Sequence, residues 1–261
     1  MILSLLLSLS ACEFKFRTDN DDAVKPIEVQ RYDRLESIYL TTGDFSALQQ
    51  METGYPMETR TLIENILKIG SVNDDEINNK FLAFFQDTTL QVIISDVSAQ
   101  YADMDDINEQ LNTAFRKLTY YVPGLPVPHF YAQISALDQS IVVGDDRVGI
   151  SLDKYLGEDY PVYKRFYSDS QRATMKRSYI VPDCLCFYLI SLYPLRDFDT
   201  RSQKERDAHV GKILWVCNQV MGSKFFKTKN VESTARYMKK NPHVTIEGLL
   251  KMSDISEVMD Y

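Results

Sequence analysis

The stretch HFYAQISALDQSIVVGDDRVGISLD, His129 to Asp153, decides how this chain folds. It divides into HFYAQIS, SIVVGD and RVGISLD, with turns at ALDQ and DDR. Aromatic and β-branched residues fill the segments while Asp and Gly fill the breaks, which is how pleated and turning backbone sort residue types. A small antiparallel sheet is therefore expected over residues 129–152. Most of the chain on either side of it has helical periodicity. The chain thus reads as an α+β protein, mostly helical, with one small sheet.

Working outward towards the N-terminus, MDDINEQLNTAFRKLTYYV places Ile107, Leu111, Phe115 and Leu118 on one helical stripe. VPGLPVP then stops it, because proline cannot continue a helix. DTTLQVIISDVSAQYAD repeats the stripe through Leu90, Ile93, Ile94 and Val97, with Asp87 as its cap. NDDEINNKFLAFFQD is helical with an acidic start that suits the helix dipole. METRTLIENILKIG and FSALQQMETG are helices, the first ended by Gly70 and the second capped by Asp44. IEVQRYD alternates and reads as a short strand.

Towards the C-terminus, Asp159 and Pro161 open a helix over VYKRFYS, and DSQRATMKRSY forms another. Pro182 fits the first turn of a new helix, IVPDCLCFYLI. HVGKILWVCNQVM is a strongly apolar helix. NVESTARYMKKN and TIEGLLKMSDISEVMDY follow, parted at Asn241-Pro242. No linker divides residues 27–261, which read as one domain.

Composition narrows the function. With 44% hydrophobic and 25% charged residues, 261 residues can bury a sizeable core. A net charge of −8 argues against a nucleic-acid surface. Gly is scarce, at 10, and no Gly-rich phosphate loop occurs. The first residues, MILSLLLSLSAC, form an apolar run about eight residues short of the ~20 that span a bilayer. Leu9-Ser10-Ala11-Cys12 resembles the bacterial lipoprotein box. That resemblance implies that residues 1–11 are a signal peptide and that the Cys12 thiol is acylated, by palmitate or a similar chain. Residues 12–26, with Asp19, Asn20, Asp21 and Asp22 in a row, then read as a solvated tether from lipid to domain.

Few residues suggest catalysis. The three histidines, His129, His209 and His243, lie 80 and 34 residues apart, so no helix offers two imidazoles one turn apart to a metal. His209 and His243 read as residues at helix starts. Cys184 and Cys186 are two apart and point to different sides of a helix. With Cys217 they read as buried thiols, although an oxidising compartment would allow a disulfide. No GxSxG serine motif occurs. GISLDKYLGEDY crowds Asp153, Tyr155 and Asp159 just after a strand, where Asp153 and Tyr155 could line a pocket. Asp183 in IVPDCLC is a third candidate, on an apolar helix whose first turn favours a carboxylate. Turn capping and packing explain the same residues at least as well.

The lipoprotein box, RYD, GYP followed by ENILKIG, FFQDTTLQ, FRKLTYYVPGLPVP, GISLDKYLGEDYPVY and GKILW together resemble the gliding-motility lipoprotein GldB family of Bacteroidetes, in order and spacing, over Ile27 to about Val220. The resemblance implies a cell-envelope lipoprotein tied to gliding machinery. A weaker similarity in element order links the sheet and following helices to zincin-type metallopeptidases, with PDCLC where a metal-binding HExxH would stand. It implies a scaffold without metal. The expectation is thus an interaction or assembly component held on the membrane through Cys12, with envelope proteins as partners and no cofactor. The alternative is an envelope hydrolase acting on peptide or cell-wall material.

Overall fold

Just before the first helix, the backbone of Gln30 runs beside the first strand of the sheet: its N–H donates to the Phe130 carbonyl (2.9 Å) and its carbonyl accepts from the Ala132 N–H (2.8 Å). The computed structural model describes residues 26–254 and 256–259. The expected signal peptide, Cys12 and nearly all of the expected tether lie outside the described residues.

The alternation of IEVQRYD yields that one bridge and no strand. From Tyr32 the chain is helical instead, as α1 (Tyr32–Thr42). Its buried residues are Tyr32, Asp33, Glu36, Tyr39 and Leu40, a helical stripe in which acids hold two inward positions. Asp44 caps α2 (Phe45–Gly54) by accepting from the Ser46 and Ala47 N–H groups. α3 (Pro56–Arg60) passes into a π-helical turn over Thr61–Ile66. α4 (Ile77–Phe84) follows, then α5 (Thr88–Gln100), which Asp87 caps as expected. α6 (Asp105–Tyr121) buries Ile107, Leu111, Phe115 and Leu118 on the stripe expected of it.

The sheet occupies the expected residues: β1 (His129–Gln133), β2 (Ile141–Gly144) and β3 (Arg147–Ser151). Its pairing is mixed rather than antiparallel. The strand order is β1-β3-β2, with β3 antiparallel to β2 and parallel to β1. Burial explains the order. Val148, Gly149, Ile150 and Ser151 of β3 are all buried, so β3 takes the centre, whereas Val142 and Val143 of β2 are only half-buried at the edge. The Tyr131 ring lies across Gly149, where a Cβ would come within 2.5 Å of Cζ.

A 3-10 turn (Leu152–Lys154) leads to α7 (Tyr163–Phe166) and α8 (Asp169–Arg172). Asp159 does not cap α7; it is exposed and faces Lys164 at 3.4 Å. α9 (Ile180–Leu192) holds Pro182 in its first turn, as its sequence suggests. α10 (Gln203–Met221), α11 (Lys229–Lys240), α12 (Ile246–Lys251) and α13 (Ser256–Met259) complete the described chain. α9 packs on the sheet and against α6 and α10. Phe115 of α6 meets Phe130 of β1 edge-on at 5.3 Å and Tyr188 of α9 at 5.8 Å, which ties helices to sheet. Cys184, Cys186 and Cys217 are buried free thiols in this core. The main cluster of buried apolar residues runs from Val29 to Val258.

Candidate functional site

Directly after β1, the β1–β2 loop wraps around two acids. Ala136 and Leu137 take left-handed backbone (φ 52° and 67°), which turns successive N–H groups inward. The Ser135 N–H donates to Asp153 Oδ1 (2.9 Å) and the Leu137 N–H donates to Oδ2. The Ile134 N–H donates to Glu36 Oε2 (2.8 Å). Asp153 and Glu36 are both wholly buried. Burial pushes the Asp153 carboxyl up, and the Ser135 and Leu137 amides pull it back. Burial pushes Glu36 well above the ordinary range, and the charges of Asp33 and Asp153 add to that. Glu36 Oε1 and Gln133 Oε1 have no hydrogen-bond partner, although Gln133 Nε2 donates to Ser151 Oγ (3.1 Å). The Tyr163 hydroxyl donates to the Asp153 main-chain carbonyl.

Tyr155 and Asp183 meet directly. The Tyr155 hydroxyl donates to Asp183 Oδ2 (2.8 Å), and the Tyr155 carbonyl accepts from the Tyr101 hydroxyl (2.6 Å). Asp183, in the first turn of α9, keeps some contact with water. Burial pushes its carboxyl up to about 7, against the Tyr155 hydrogen bond, which favours the ionised form. A carboxyl that changes charge near neutrality can hand a proton on. Asp153 is not part of that pair, since both its oxygens face the β1–β2 loop.

None of Asp153, Tyr155 and Asp183 lines any of three clefts among the described residues. The first, of about 590 Å³, lies between residues 26–31, Tyr55 and residues 127–130, with exposed His129 on its rim. A small third cleft of about 120 Å³ carries the Glu58–Arg147 ion pair (3.3 Å). The second, of about 440 Å³, opens between the α9–α10 turn and the end of α12. Arg196, Lys251 and Ser253 give it polar walls; Leu192, Leu195 and Leu250 give it apolar ones. His209 lines it at 6% exposure, and neither ring nitrogen has a hydrogen-bond partner. Burial, then the Lys212 charge, pushes the imidazole down to about 4, while the nearby Tyr193 carbonyl pulls the other way. Lys212 is wholly buried and donates from Nζ to the Met252 (2.8 Å) and Leu250 (3.3 Å) carbonyls at the end of α12. Burial pushes its ammonium down to about 8.

His209 is not at a helix start. The capping box of Ser202 and Glu205 opens α10 at Gln203, so His209 sits a turn and a half inside. Ser202-x-x-Glu205 is the sequence signal that marks this boundary. His243 is exposed between α11 and α12. Among the described residues no group of three or more His, Cys, Asp or Glu side chains gathers as metal ligands would, and no helix is long and apolar enough to cross a membrane.

The fold and its acids define a class: a helix-rich α+β protein with a small mixed sheet, whose interior carboxylates bind its own backbone. The family model described as Gliding motility protein GldB matches residues 15–229. The chain therefore belongs to the GldB gliding-motility family. No curated protein and no solved structure matches the chain, so the zincin-like scaffold has no support.

Proposed function

We propose that this protein is a lipid-anchored component of the gliding apparatus in the cell envelope, and that it works by holding other envelope proteins rather than by catalysis. Cys12 carries the lipid, and residues 12–26 let the domain reach away from the membrane. The observation that carries the non-catalytic reading is the use made of the acids. Asp153 and Glu36 are spent on the Ile134–Leu137 backbone, and Asp183 on Tyr155, rather than converging in a cleft. Family membership supports the link to gliding.

Growth with an alkynyl palmitate analogue tests the anchor. Wild type takes up the label and sediments with membranes, and Cys12→Ala does neither. A wild-type protein that stays unlabelled in the soluble fraction overturns it. The hydrolase alternative rests on Asp183, whose carboxyl lies near neutrality. Asp183→Asn at normal cellular level leaves gliding intact if the acid is structural, and abolishes it if the acid does chemistry.

A further inference from the structure

Two of the three core thiols meet. α9 and α10 pack against each other, and across that contact the Cys217 thiol has the Cys186 thiol as its hydrogen-bond partner. Both side chains are buried, Cys217 completely and Cys186 to 8% exposure. Cys184 is turned away. Two positions along a helix are about 200° of rotation, and Cys184 lies beside Asp183 and Tyr155, where α9 meets the sheet and the turn after it. The sequence leaves every pairing of the three open, and the packing leaves one.

Packing alone would be served by a small apolar side chain at either position. What two thiols in contact add is the ability to bond. The bond would close residues 186–217 into a loop and tie the α9–α10 turn at its base. The chemistry balances against an oxidant that carries a disulfide. The Cys186 thiolate attacks one sulfur of that disulfide and displaces the other as a thiolate. The Cys217 thiolate then attacks Cys186 Sγ, forms the S–S bond and releases the oxidant as a dithiol. The two cysteines lose two electrons and two protons, and the oxidant gains both. Burial, then Cys186 itself, pushes the Cys217 thiol well above its usual range. Its thiolate therefore forms while α10 is loosened from α9, during folding or local opening. Cys186 is the more exposed of the two and takes the first step. Once α10 packs down, the same burial shields the bond from reductants.

We infer that Cys186 and Cys217 are a disulfide-forming pair, closed by a thiol–disulfide oxidant of the envelope so that α9 is bolted to α10, while Cys184 stays a thiol. Closure in the cell rests on the envelope placement proposed above. The choice of pair rests only on how α9 and α10 pack.

Full-length protein is taken from cells of the native host, its free thiols are alkylated at once in denaturant, and it is digested without reduction. Cleavage after Lys and Arg puts Cys184 and Cys186 on residues 178–196 and Cys217 on residues 213–224. Mass spectrometry is expected to find these two peptides joined, with the alkyl group on Cys184. The same protein, purified, reduced and then equilibrated in glutathione buffers of rising oxidised fraction, is expected to regain the link. Cys184→Ala keeps it, and Cys186→Ala and Cys217→Ala each lose it. Reduction is expected to lower the thermal midpoint of the wild type by about 5–10 °C and to leave that of Cys186→Ala unmoved, which separates the bond from the packing of the side chain. A link through Cys184, or no link at any glutathione ratio, overturns the pair. Thiols that stay reduced in cells yet join as Cys186–Cys217 in glutathione support the pair and refute the envelope placement instead.

Discussion

Asp183 is an acid whose charge changes in the range where cells live. In an unfolded chain it ionises near 3.8, and in the fold near 7, so the folded state keeps a proton that the unfolded state has lost. The contribution of Asp183 to stability is therefore full below about pH 4 and falls away as pH rises towards about 7. Asp183→Asn has no such charge and can still accept from Tyr155. Its stability relative to wild type is expected to climb over that window and level off above it, as urea melts at a series of pH values would record. Asp153 is a different case. Asp153→Ala strands the Ser135 and Leu137 N–H groups, and at about 1–3 kcal/mol for each buried unpaired group the loss is expected to reach several kcal/mol. Denaturant melts measure it, with hydrogen exchange at Ser135 and Leu137 speeding up in step. The sequence placed Asp153 and Tyr155 after a strand and Asp183 at a helix start. It could not show that Tyr155 and Asp183 touch, because 28 residues separate them and only the packing of α9 on the sheet closes the gap.

Elements built on local signals came out where the sequence put them. Asp44 and Asp87 cap their helices, Pro182 sits in a first turn, and the three strands hold their positions. Asp87→Ala is expected to cost about 1 kcal/mol, seen as a shifted urea midpoint with an unchanged slope. Elements that depend on partners were harder to read. The stripe of α1 was hidden because Asp33 and Glu36 point inward, where hydrophobic residues usually mark the face. Glu36 is there to meet the Ile134 N–H, a contact 98 residues away. Strand order was hidden for a similar reason: β3 becomes central only through its pairing with β1 on one side and β2 on the other. The contact of α10 with α11 makes one more demand. A Cβ on Gly211 would lie 2.3 Å from Asn230 Cβ and 2.9 Å from its carbonyl carbon. Gly211→Ala must push the helices apart, at an expected cost of about 1–3 kcal/mol in thermal or urea unfolding.

At the scale of the whole molecule, the small sheet and the helices share a core that spans nearly all the described chain, and the family match covers residues 15–229. The two candidate acids make contacts within this core: Asp153, joined by Glu36, fastens the β1–β2 loop to the turn after β3 and to α1, and Asp183 fastens α9 to the Tyr155 turn. On the proposed function, the surface makes contact with partners from a position fixed by lipid at Cys12. Cross-linking in intact cells of the native host, followed by quantitative identification of the proteins joined to this one, compares wild type, Cys12→Ala and Asp183→Asn at matched levels. The account predicts one defined set of envelope proteins for wild type and Asp183→Asn, lost in Cys12→Ala. A set that survives Cys12→Ala unchanged, or no specific set for wild type together with loss of gliding in Asp183→Asn, would contradict it.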